Sequence, residues 1–148
     1  MSFMAWLSVL KLSALWQMDR LQNIAIDEMS ALQKKAKQIH WISLLDMSTR
    51  HWLPAGRKLA IEELSTRGGI SAETMLVLAR EYQTKALFLK GCQDFVNKPE
   101  EYRFNDDMLA KLDMATVVKL FYCRERGSSD EDAICEEFEG LLKEMKDD

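Results

Sequence analysis

The apolar positions of this chain recur at spacings of three and four, the mark of helices with one buried face. In the stretch WLSVLKLSALWQMDRLQNIAIDEMS they fall at Trp6, Val9, Leu10, Leu12, Leu15 and Trp16, then at Leu21, Ile24, Ala25 and Met29. The pattern predicts a helix, a tight turn and a second helix, with Asp19 as its cap and Met18 as a staple before it. From Trp41 to Ser65 the chain reads WISLLDMSTRHWLPAGRKLAIEELS, a second copy displaced by 35 residues without a gap. Eight of the 25 aligned residues are identical and six others exchange one aliphatic side chain (Met included) for another, so the two stretches predict the same hairpin. Pro54 takes the place of Asp19, at a first helical position where a missing N–H costs nothing. Gly68-Gly69 is expected to stop this helix.

A weaker third unit spans 71–97. Ser71 is placed to cap a helix with Met75, Leu78, Ala79 and Tyr82 on one face. Thr84 is placed to cap the next, with Leu87, Phe88, Cys92 and Phe95, and Asn97-Lys98-Pro99 ends it. A short helix near Asp106–Leu112 and another near Met114–Arg126, closed by Gly127, complete a helical-hairpin domain over 1–127. Residues 128–148 form an acidic C-terminal helix starting at Ser129, with a thin apolar face of Ile134, Phe138, Leu141, Leu142 and Met145. No segment alternates with period two. The fold class expected is all-α: stacked antiparallel helical hairpins, about eight to nine helices, the first hairpin duplicated. One hairpin cannot bury its own apolar face, whereas neighbours bury each other's.

The residues W-[LI]-S-[VL]-L-[KD]-[LM]-S, a short turn and [IL]-A-I-[DE]-E-[ML]-S, followed by MLVLAREYQTKALFLKGCQDFV and MLAKLDMATVVKLFYCRER, resemble the helical C-terminal part of BTB/POZ-domain proteins from mushroom-forming fungi. The likeness covers about Trp6 to Arg126 and rests on packing motifs. It implies a non-enzymatic adaptor, scaffold or regulatory module that binds other proteins. Two departures stand out. The mixed α/β part through which such proteins dimerise has no counterpart in these residues, and the Trp–Ser–Leu unit appears twice instead of once. Apolar surface near Trp6 and Phe3 is therefore expected to need cover from the chain itself or from a second copy, giving a homo-oligomer.

The net charge of −4 speaks against nucleic-acid binding, for which Lys34, Lys35 and Lys37 are the main support. No stretch is apolar enough to span a membrane. The N-terminal run MSFMAWLSVLKLSALW lacks a basic start and is broken by Lys11, unlike a secretory signal. Three scattered cysteines, Cys92, Cys123 and Cys135, read as reduced thiols of an intracellular protein, cytoplasmic or nuclear. His40 and His51 without cysteines at ligand spacing offer no metal site, and no catalytic or cofactor-binding residue stands out. Trp6 and Trp41, at equivalent places, are expected in the core or as anchors between hairpins. Trp16 and Trp52, near the turns, are expected to be exposed, and with Leu53 and Phe3 they are the candidate partner-binding residues. The competing reading is a small-molecule-binding or enzymatic domain with a pocket between hairpins, lined by His51 and two carboxylates.

Overall fold

The computed structural model describes residues 1–67, 69–97, 111–127 and 130–145. Among them the chain forms nine helices and no β-strand, an all-α fold of antiparallel hairpins. In order these are α1 (Phe3–Leu15), α2 (Asp19–Ala31), α3 (Gln38–Arg50), α4 (Pro54–Thr66), α5 (Ala72–Tyr82), α6 (Lys85–Asn97), α7 (Met114–Arg126), α8 (Glu131–Glu137) and α9 (Glu139–Lys143). The chain divides into two compact units, Met1–Arg67 and Gly68–Asp148.

The repeat is visible in the backbone. Each of α1 to α4 has 13 residues, and α3 and α4 begin 35 positions after α1 and α2. We call α1–α2 hairpin A, α3–α4 hairpin B and α5–α6 hairpin C. All three close by the same turn. In A, the Met18 N–H donates to the Ser13 carbonyl at 2.8 Å; in B, Leu53 donates to Ser48 at 2.9 Å; in C, Thr84 donates to Ala79 at 2.9 Å. The residue before each donor is left-handed: Gln17 at φ 53°, Trp52 at φ 55° and Gln83 at φ 53°. This is a Schellman closure, which satisfies helix-terminal carbonyls and normally carries glycine at the left-handed position. Here two glutamines and a tryptophan take it, at a cost of about 1 kcal/mol each.

Inside each hairpin the same positions meet. Leu10, Leu45 and Leu76 are fully buried at one place in A, B and C. Ala25 and Ala60, both fully buried, and the buried Gly91 occupy the matching place in the second helix. The small side chain there lets the helices approach. At Gly91 an added Cβ would lie 2.9 Å from Leu76 Cγ.

In the first unit A stacks on B, α1 against α3 and α2 against α4. Arg67 ties the end of α4 back by donating to the Ala36 carbonyl. In the second unit α6 is the central helix, with α5, α7 and α8 packed on it. Phe138 stands edge-on to Phe88, ring centroids 5.0 Å apart, so the acidic segment is part of this unit's core.

Several local expectations change. Asp19 is the first helical residue and not the cap; Met18 stands at the cap without a side-chain bond. Helix α4 stops at Thr66, with Arg67 already extended. The acidic segment is two short helices broken at Phe138, not one. Ser71 does cap α5, and Gly127 closes α7 at φ 65°. The helix expected near 106–112 and the cap at Ser129 lie outside the described residues, Lys111 and Leu112 apart.

Candidate protein-interaction surface

Helix α1 carries one charge, Lys11, among 13 residues. A helix apolar on all sides belongs in an interior. Yet Met4, Leu12 and Leu15 are exposed, as are Trp16 just after the helix and Met18 in the turn. The repeat explains this. At several positions 35 apart both copies are apolar, but only hairpin B buries them. Leu12 is 48% exposed where Met47 is 7%, and Met18 is 45% exposed where Leu53 is 7%. Val9 and Ile26 are half-buried where Leu44 and Ile61 are buried.

Trp6 and Trp41 follow the same rule, which corrects the expectation that both sit in matching surroundings. Trp41 is fully buried and Trp6 is half-buried. The cover over Trp41 comes from hairpin A, whose Phe3 ring stands edge-on to the indole at 4.9 Å between centroids. Within the first unit no further hairpin lies beyond A to cover Trp6 in the same way.

Phe3 is thus a core residue, 5% exposed, and stacks also on His40 at 5.5 Å. His40 is held in turn, its Nδ1 accepting from the Lys37 N–H at 3.0 Å. Leu53 is buried as well. These two leave the candidate partner-binding set, because each is spent on packing inside its own unit. Trp16 and Trp52 remain on the surface, 70% and 78% exposed.

Phe3 opens α1 and meets Trp41 in the first turn of α3. Both exposed indoles stand at the turns of their hairpins, Trp16 after α1 and Trp52 after α3. Trp52 holds a left-handed backbone that a bulky side chain disfavours. Sequence spacing found these two indoles. It missed Leu12, Leu15 and Met18 as surface residues, because the same periodicity describes a face that is covered and one that is not.

The chemistry elsewhere is plain. Burial pushes the Cys92 thiol well up, with Cys123 and Cys135 adding to the effect, so the fold brings these three sequence-distant cysteines into electrostatic reach. Burial also raises Cys123, aided by the charge of Glu137 and opposed by Arg126. Neither is poised as a nucleophile, which needs a thiolate. Among the described residues no group of three or more His, Cys, Asp or Glu could hold a metal ion. An open cavity of about 300 Å³ lies beside Phe3 and His40, with Lys35 and no described carboxylate on its wall. No described helix is long and apolar enough to cross a membrane. No known protein family, characterised protein or solved structure matches the chain.

Proposed function

We propose that this chain is a non-enzymatic interaction module, an adaptor or scaffold similar to the helical half of a BTB/POZ-domain protein. The observation that carries the reading is the uncovered outer side of hairpin A, together with the exposed Trp16 and Trp52 at the hairpin turns. Exposed aromatics flanked by aliphatic side chains are the anchors that interfaces use. An apolar surface of this kind marks a protein contact more often than a catalytic cleft, which needs converging polar groups. The test is affinity capture with the full chain against Trp16→Ala/Trp52→Ala, with captured proteins identified by mass spectrometry. Both side chains are exposed, so circular dichroism of the double variant should match the parent. Loss of a defined set of partners supports the reading. An unchanged set removes these two indoles as the contact.

A further inference from the structure

We infer that the outer face of hairpin A seats an α-helical hairpin of another protein, in the register that hairpin A itself uses on hairpin B. This rests on the interaction-module reading and names the class of partner. The interface already inside the chain supplies the template. Hairpin A offers hairpin B a side that starts with Phe3 and continues one turn on with Leu7, both buried. Hairpin B receives it on a surface that includes Trp41, against which Phe3 packs. The 35-residue repeat places Trp6, Val9, Leu12, Met18 and Ile26 at positions whose counterparts in B are closed and apolar. Hairpin A therefore presents an open version of a surface whose fitting occupant is present within the chain itself. It continues an established interface by one more repeat.

The pattern on α1 agrees. Ala5, Val9, Leu12 and Trp16 follow one another at spacings of four, three and four, the row read by a helix laid alongside. Lys11 falls on a different face at about 100° per residue. With no charge in the row, the partner helix is recognised by apolar shape: an aromatic in the place of Phe3 and an aliphatic one turn later. A charged or phosphorylated peptide finds no complement there.

The test uses the full chain and a fluorescein-labelled peptide with the sequence of residues 1–17, followed by anisotropy. Saturable binding is expected, weakened at least tenfold by Leu12→Lys in the full chain and unchanged by Ile39→Lys, an exposed residue of α3. A peptide with Phe3→Ala and Leu7→Ala should not bind. If lysine at 12 disturbs helicity, Leu12→Gln serves in its place. Absent saturation, binding indifferent to Leu12→Lys, or equal binding of the doubly altered peptide overturns the proposal. So does a dimer of the full chain in sedimentation that Leu12→Lys dissociates, because the occupant is then a second copy. If the peptide fails while Trp16→Ala/Trp52→Ala still loses partners, the hairpin register falls and the interaction reading stands.

Discussion

Phe3 meets Trp41 edge-on, with ring centroids 4.9 Å apart and planes at 72°. This pair joins the two copies of the repeat. It also buries an indole whose Nε1 has no hydrogen-bond partner among the described residues. Phe3→Ala should cost about 3 kcal/mol, from lost burial and the space left behind. Combined with Trp41→Leu in a double-mutant cycle, the two rings should couple by about 1 kcal/mol, the preference of aromatic pairs beyond their area. Urea unfolding of the four proteins measures this, and strictly additive losses would deny the contact.

Gly91 in α6 faces Leu76 in α5. A Cβ there would lie 2.9 Å from Leu76 Cγ and 3.3 Å from the Ala72 carbonyl. Gly91→Ala should destabilise the second unit by about 2 kcal/mol, the usual cost of overpacking. Removing the obstacle with Leu76→Ala should make the two changes clearly non-additive. A neutral Gly91→Ala in thermal unfolding would mean that hairpin C packs more loosely than A and B.

Asp113 caps α7, its carboxylate accepting from the Thr116 N–H at 2.7 Å. Hydrogen bonds from Thr116, then the charges of Arg80 and Lys119, hold this carboxyl below its ordinary range. A lowered folded value means stability that is present above the unfolded carboxylate's pKa of about 3.9 and lost as pH falls through the folded one. Asp113 is largely exposed, so solvent keeps the charge contribution small. Asp113→Asn should keep the cap and flatten the acid limb of stability against pH. Asp113→Ala should cost about 1 kcal/mol at neutral pH as well. Denaturation midpoints between pH 2 and 7 separate the two effects.

The thiols should react unequally. Cys92 and Cys123 are buried and raised by burial, whereas Cys135 is partly exposed. A disulfide reagent at neutral pH should modify one thiol quickly in the folded chain, and Cys135→Ser should abolish that phase. Fast modification of Cys92 would show that the α6 core opens.

Much of this was legible beforehand. The displacement of 35 residues fixed the extent of both first hairpins, and proline at the first position of α4 was read correctly. The turns were harder, because the left-handed positions hold Gln17, Trp52 and Gln83 and no glycine announces them. The third hairpin repeats the first two in its turn and in Leu76, but not in its tryptophan or serines, so sequence showed only a faint copy. Periodicity also could not separate Trp6 from Trp41. Their helices have the same apolar spacing, and what differs is a neighbour supplied by another part of the chain. Phe3 finds its cover within the chain, but periodicity does not show where, since that cover lies 38 positions away.

The open face of hairpin A is tested most directly by lysine at equivalent places in the two copies, Leu12→Lys and Met47→Lys, compared by urea unfolding. Met47→Lys buries a charge where hairpin B is closed and should lose roughly 2–4 kcal/mol. Leu12→Lys should stay within about 0.5 kcal/mol of the parent, as surface changes do. Equal losses at the two positions, or a larger loss at Leu12, would mean that the outer face of hairpin A is already closed in the isolated chain.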